Sequence, residues 1–365
     1  MRVDAQTLAA VHRKVAATGS RDVLWTVKAD QLFFAGVGPQ FSAEATVAVQ
    51  SGPFDEGFQV AAPSALTASW LSGVEGDLEV TWSEQDKVLG LGADRSSIEI
   101  ECAVNGHDFL RLLNVATTVD DATALSFGSD LWQAMADVAW ASAASSASNA
   151  DPRRNAVHLS YGKVWAVADG AVAQVTLDLP DDVFPMIPAE VASLAKLIDT
   201  DASAVAVDSD NRLLVTDGEV SYAAPLIAGE PFPDFSQMPN FQQAVEAPTT
   251  RFSAKAFEDA VKRLDRVDLD EAGRKSMVGA RVQIQPVDES TLGLSVLVGK
   301  RKATEAIDFD GEPIDCVFSL PRLRNLISFA GQDEVELHHT DRTRPFYVCH
   351  GNRQAWAMGL AAKSL

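Results

Sequence analysis

Val183-Phe184-Pro185-Met186-Ile187-Pro188, followed by Ala189 to Ile198, reads as an apolar strand running into a proline and then a short helix. The same order occurs twice more. Phe58-Gln59-Val60-Ala61-Ala62-Pro63 leads into Ser64 to Leu71, and Cys316-Val317-Phe318-Ser319-Leu320-Pro321 leads into Arg322 to Phe329. Proline suits a first helical turn because it has no N–H to leave unpaired and its φ is already near the helical value. A polar turn follows each helix, at Val74-Glu75-Gly76-Asp77, Asp199-Thr200-Asp201 and Gly331-Gln332-Asp333-Glu334, and alternating strands follow each turn. Pro63, Pro188 and Pro321 lie 125 and 133 residues apart. Solenoid periods are roughly 20–50 residues, so what repeats here is a whole domain. The chain reads as three versions of one α+β domain, over 1–124, 125–247 and 248–365.

Working outward, the first third opens with a helix over Asp4 to Thr18, ended by Gly19, and strands at 23–27, 31–35, 45–49, 78–82 and 97–102. In the middle third Ser129 suits an N-cap, with Asp130 in the first turn and Leu131, Met135 and Val138 at helical spacing. Strands are expected at 157–160, 163–168, 172–177, 204–207, 213–216 and 220–223, and 225–248 reads as a connector. The last third repeats the plan: a helix from Ser253 to Leu264, strands at 278–285, 292–298 and 305–309, then 335–338, 346–350 and 355–360 after the Pro321 helix.

The 365 residues, 47% hydrophobic and 22% charged, let each third bury a core. No stretch has the length and apolarity of a membrane span, and Met1 to Gln6 lacks the apolar core of a signal peptide, so a cytoplasmic protein is expected. Cys102, Cys316 and Cys349 are odd in number and show no C-x-x-C spacing, which fits small buried hydrophobes in a reducing compartment. No cofactor is implied. His338 and His339 would point to opposite faces of a strand, and Asp208-Ser209-Asp210-Asn211 lacks the glycine and distal glutamate of a calcium loop. No G-x-S-x-G, H-E-x-x-H, Walker A or G-x-G-x-x-G is present, so an enzyme is not expected.

The net charge of −21 excludes a protein that coats nucleic acid with its whole surface, unless the bases gather on one face. They do concentrate on helices and adjoining turns. On the helix from Ser253, Phe257, Val261 and Leu264 fall on one side, with Lys255, Lys262 and Arg266 opposite. Taken singly that is an ordinary solvated face. Arg13 and Lys14, Arg153 and Arg154, Lys196, Arg274 and Lys275, and Arg324 extend the pattern, which suits phosphate contact without base readout.

The segment Ser221-Tyr222-Ala223-Ala224-Pro225-Leu226-Ile227-Ala228-Gly229-Glu230-Pro231-Phe232-Pro233-Asp234-Phe235 resembles the end of the middle domain of bacterial sliding clamps, the β subunit of DNA polymerase III, where a strand enters an LI-x-G-x-FPDY connector. Val167-Ala168-Asp169-Gly170 is similar to the family's ATDG, and the helices over 252–264 and 318–327 also match in order. The resemblance covers essentially the whole chain. It implies a head-to-tail homodimeric ring of six domains around double-stranded DNA, with helices lining the hole and antiparallel sheets outside. It also implies a non-catalytic processivity factor that tethers the polymerase III α subunit and the clamp loader through short peptide motifs. By position the family's peptide pocket falls on Asp169, Gly170, Ala171, Val172, Ala173, Pro239, Met358, Gly359 and Leu360. The chain departs from type here: DGHRL becomes Asp-Gly-Ala-Val-Ala, and the ending lacks the MPMRL proline and runs longer. A clamp-fold decoy or adaptor that binds the same peptides without being loaded on DNA is the alternative.

Overall fold

The computed structural model describes residues 1–28, 31–50, 57–103, 123–125, 128–142, 151–168, 170–178, 186–201, 203–208, 210–264, 281–298, 301–340 and 344–360. Helix α1 (Ala5–Ala16) starts where the Asp4 carboxylate accepts a hydrogen bond from the Thr7 N–H at 2.7 Å. Leu8, Val11, His12 and Val15 form its buried stripe. The first proline closes the strand Gln59–Pro63 and stands at the N-cap of α2 (Ser64–Leu71). Further on come α3 (Ser129–Val138), α4 (Pro239–Val245), α5 (Ala254–Leu264) and α6 (Leu320–Ala330). In α6 Pro321 sits in the first turn, and Gly331, at φ 64°, ends the helix in the left-handed region that glycine enters without a Cβ clash.

The middle copy of the repeat differs. Its helix, Ala189–Lys196, is a 3-10 helix rather than an α-helix. The Ser193 hydroxyl donates to the Glu190 carbonyl at 2.6 Å and the Leu197 N–H to the Leu194 carbonyl at 2.8 Å, both three residues back, which favours the tighter winding. Part of the strand expected before Pro188 lies outside the described residues, which resume at Met186.

The chain divides into two compact units, Met1–Trp132 with Glu190–Leu226, and Gln133–Ala189 with Ile227–Leu365. All strand pairing within them is antiparallel. In the first unit an eight-stranded sheet runs Gln59–Pro63, Asp22–Lys28, Gln31–Val37, Ser42–Ala48, Val220–Pro225, Arg212–Thr216, Ala204–Val207, Thr123–Leu125. A four-stranded sheet runs Arg2–Asp4, Asp77–Ser83, Val88–Ala93, Ser96–Glu101. The eight-stranded sheet carries Trp25 and Phe34 into the core of this unit, edge to face at 4.7 Å. In the second unit a nine-stranded sheet begins at Ile187–Pro188 and passes through Ala156–Ser160, Lys163–Ala168 and Ala171–Thr176. It continues through Arg353–Met358, Pro345–His350, Glu334–His338 and Thr249–Ser253 to Asp310–Gly311. A four-stranded sheet of Arg301–Asp308, Thr291–Val298, Arg281–Pro286 and Cys316–Ser319 completes that unit. The middle third, expected as one domain, thus contributes strands to both large sheets. The joining pairs are Ser42–Ala48 with Val220–Pro225, and Ala171–Thr176 with Arg353–Met358.

Candidate functional site

In the second unit a cavity of about 220 Å³ opens beside the strand pair Ala171–Thr176 and Arg353–Met358. Val167, Ala168, Gly170, Ala171 and Val172 line it from the hairpin, with Pro345, Trp356 and Met358 from the C-terminal strands. Phe232, Phe235 and Phe241 close it from the connector, and Arg154 stands among the lining residues. Pairing register explains the wall, since Val172 lies opposite Trp356 and Ala171 opposite Ala357. Gly170, at φ 77°, turns the hairpin, and its carbonyl accepts the Met358 N–H at 2.7 Å. A Cβ on Gly170 would lie 3.2 Å from the Met358 Cβ, so a side chain there would press on the cavity wall.

The rings are held in series. Phe235 meets Phe241 at 5.6 Å and Phe241 meets Trp356 at 5.6 Å, both edge to face, and Trp356 packs on Tyr347 at 5.0 Å. The Trp356 indole N–H donates to the Phe241 carbonyl at 3.3 Å, which satisfies the one polar atom of a buried ring. The connector carrying the phenylalanines is pinned by charge. Lys163 Nζ lies 2.8 Å from Asp234 Oδ2 and 2.8 Å from Ser236 Oγ. Burial works to raise the Asp234 pKa, but hydrogen bonds from Lys163 and Ser236 outweigh it and hold the carboxyl below the usual range. Arg153 lies over the Phe232 ring at 4.2 Å while paired with Asp151 at 2.7 Å. His158, stacked on Trp165 at 4.1 Å, donates from Nε2 to the Arg153 carbonyl, and burial pushes its pKa down to about 4.

Of the residues expected at a peptide pocket, Gly170, Ala171, Val172 and Met358 line the cavity. Ala173 is fully buried opposite Ala355. Pro239 starts α4, the helix that delivers Phe241, and the Leu360 N–H is bonded to the Val317 carbonyl at 2.7 Å, one residue beyond Gly359. Asp169 lies outside the described residues. Sequence reasoning missed Phe232, Phe235, Phe241 and Trp356. Its signal was present in the FPDF stretch, but four prolines between Pro231 and Pro248 made the segment read as connector alone, and α4 within it went unread.

The basic residues expected to face DNA are placed diversely. In the first unit Arg13 and Lys196 are exposed near the ends of their helices. Lys14 is mostly buried, 2.7 Å from Asp217 and 2.6 Å from Glu219. In the second unit Lys255 is exposed and pairs with no carboxylate among the described residues. Lys262 is exposed, with Glu258 and Asp259 each at 3.9 Å, and Arg324 lies 3.4 Å from Glu258. Arg153 is engaged as described, Arg154 lines the cavity, and Arg266, Arg274 and Lys275 lie outside the described residues. Arg263, not expected at any site, pairs with Glu305 at 2.8 Å.

No family profile and no curated protein sequence matches the chain. Solved structures do. The DNA polymerase III β subunit of Borrelia burgdorferi, in complex with a natural product, aligns over 99% of this chain and 98% of its own, with a TM-score of 0.72 at 14% identity. The β subunit of Thermotoga maritima aligns over 99% of both chains (TM-score 0.70, 14% identity), and the sliding clamp of Pseudomonas aeruginosa over 99% of both (0.66, 16%). The chain has the fold of the bacterial DNA sliding clamps, a mixed fold of helices and antiparallel sheets, over its whole length.

Proposed function

We propose that this protein is a sliding clamp, a non-catalytic processivity factor of DNA replication in the cytoplasm. In this reading residues 1–124, 125–247 and 248–365 are three clamp domains. Two chains join head to tail into a ring around duplex DNA, with helices inward and sheets outward. The fold likeness over 99% of both chains carries the proposal. Two edge strands, Ser96–Glu101 and Arg301–Asp308, each end a four-stranded sheet and support the ring reading. Unpaired backbone along a sheet edge favours pairing between copies. Arg13, Lys196, Lys255 and Lys262 are the exposed bases for phosphate contact, and a topologically closed ring needs only weak, salt-sensitive contacts to slide. The aromatic cavity would hold short peptide motifs of the polymerase α subunit and the clamp loader.

The test is loader-dependent retention on circular DNA, preceded by light scattering. A ring gives twice the 39.0 kDa chain mass, and reversing charge at Lys255 and Lys262 should shorten retention. A ring retained equally well after reversal would remove these lysines from the DNA path. One observation favours a second reading. Lys14, Arg153 and Arg324 are tied to carboxylates of their own chain, which suits a clamp-fold adaptor that binds peptides and is never loaded. A 39.0 kDa monomer that binds peptide but is not retained on DNA would establish it.

A further inference from the structure

We infer that a second hollow, beside the turn joining Arg281–Pro286 to Thr291–Val298, docks a basic segment, seating one aliphatic side chain on Val287 while lysines or arginines meet the carboxylates around it. The hollow is about 490 Å³ and lies between that turn and the segment carrying Asp310–Gly311. Pro286, Val287, Phe309 and Pro313 supply an apolar lining, with Asp288 and Glu289 beside them. Val287 is 62% exposed, the most exposed large hydrophobic side chain among the described residues. Single apolar residues are ordinary on a surface, whereas four on one concave wall mark a contact face. The hollow shares no lining residue with the aromatic cavity.

Both walls are fixed before a guest arrives. Across the turn the Val287 N–H donates to the Thr291 carbonyl at 2.8 Å, and the Asp288 carboxylate accepts the Ser290 N–H at 2.9 Å. On the other side the Phe309 N–H donates to the Ser290 carbonyl and the Glu312 N–H to the Thr249 carbonyl, each at 2.9 Å. Between them Gly311, at φ 99°, has no room for a side chain, since a Cβ there would lie 2.3 Å from the Thr249 carbonyl oxygen. A preformed hollow loses little freedom on binding. Charge then names the guest. Residues 286–291 and 308–315 carry six carboxylates, at Asp288, Glu289, Asp308, Asp310, Glu312 and Asp315, and no lysine, arginine or histidine. Arg251, opposite Asp310 in the sheet, is paired with Glu336 at 2.6 Å. Glu289 is exposed and pairs with no base among the described residues. An apolar floor flanked by one sign of charge selects a guest of the opposite sign, and it repels a second copy of a chain whose net charge is −21.

The probe is the fluorescein-labelled peptide Gly-Ser-Lys-Leu-Lys-Ser-Gly, titrated with the full chain by fluorescence polarisation beside counterparts carrying Ser for Leu or Gln for Lys. The parent peptide should bind about tenfold tighter than the Ser counterpart and about fivefold tighter than the Gln counterpart. Val287→Ser, at an exposed position that leaves the fold intact, should abolish the Leu preference, and Glu289→Lys should bring the Lys preference near parity. Glu84→Lys makes the same charge change at an exposed site in the first unit and should leave both preferences in place. Equal losses in Glu84→Lys and Glu289→Lys would reduce the effect to net charge and overturn the inference, as would a Leu preference that survives Val287→Ser. Absence of saturable binding would overturn it too. A Val287→Ser chain whose light-scattering mass falls from two chains to one would assign the hollow to contact between copies, again overturning the inference while leaving the clamp reading in place.

Discussion

The two joining strand pairs share a backbone plan and differ in chemistry. In the first unit Tyr222 lies opposite Ala43, and in the second Trp356 lies opposite Val172, each at the second rung of its ladder. Around Tyr222 the neighbourhood is closed by charge. Its hydroxyl donates to the Lys14 carbonyl at 3.4 Å, and the Lys14 ammonium is clamped by Asp217 and Glu219 just before the strand Val220–Pro225 begins. Around Trp356 the neighbours are rings, and rings meeting edge to face leave a hollow. An ion pair consumes its own binding capacity, whereas an aromatic wall keeps a face for a guest. The same pairing therefore makes a latch in one unit and an aromatic hollow in the other.

Substitutions should break this contrast unequally. Trp356→Ala removes a fully buried ring and should destabilise the second unit by about 4 kcal/mol in urea titrations, with loss of peptide binding. Lys14→Met strands the Asp217 carboxylate, only 2% exposed, and should cost about 3 kcal/mol while leaving peptide binding intact. Equal effects of the two on peptide binding would erase the distinction between latch and hollow.

Acid should sharpen the comparison. Burial pushes both His12, in the first unit, and His158, in the second, from 6.5 down to about 4. A histidine whose folded pKa is lowered contributes stability that is fully present above pH 6.5 and lost as pH falls towards 4. For each, the penalty reached below pH 4 is at most about 3 kcal/mol relative to neutral pH. The Lys14 latch has a different window. Asp217 feels burial, which raises its pKa, but the Lys14 hydrogen bond and backbone donors prevail and lower it. Its contribution is lost only as pH falls below 3.8, through the depressed folded value. His12 has no hydrogen-bond partner on either ring nitrogen among the described residues, so His12→Leu should flatten the stability profile between pH 4 and 6.5 without loss at pH 7. An unchanged slope in thermal melts would move the acid sensitivity elsewhere. The smallest effect is expected at Lys163→Met, about 1–2 kcal/mol, since Lys163 and Asp234 keep some contact with solvent. Its diagnostic is weaker peptide binding, because Asp234 would no longer anchor the segment bearing Phe232 and Phe235.

Much of the fold was legible in the chain. Period-two alternation placed most strands within a few residues, and the stripe of Phe257, Val261 and Leu264 is the buried face of α5, with Lys255 and Lys262 exposed as the 3.6-residue period requires. The first and third strand–proline–helix units took the expected form because proline geometry acts on its immediate neighbours. Gly170, Ala171 and Val172, placed by the resemblance to sliding clamps, form a contiguous run along the cavity.

What the sequence could not supply is pairing between distant segments. Trp356 belongs with Val172, and Phe241 with Trp356, through sheet register and edge-to-face packing across more than a hundred residues. Nor does charge pattern say which bases are satisfied: Arg13 and Lys14 are adjacent in the chain, yet one is exposed and the other is held between two carboxylates some 200 residues away. Local conformation follows from local sterics and periodicity, which one chain contains in full. Which charge is neutralised and which ring keeps a free face depend on burial and long-range register, and only the folded chain decides them.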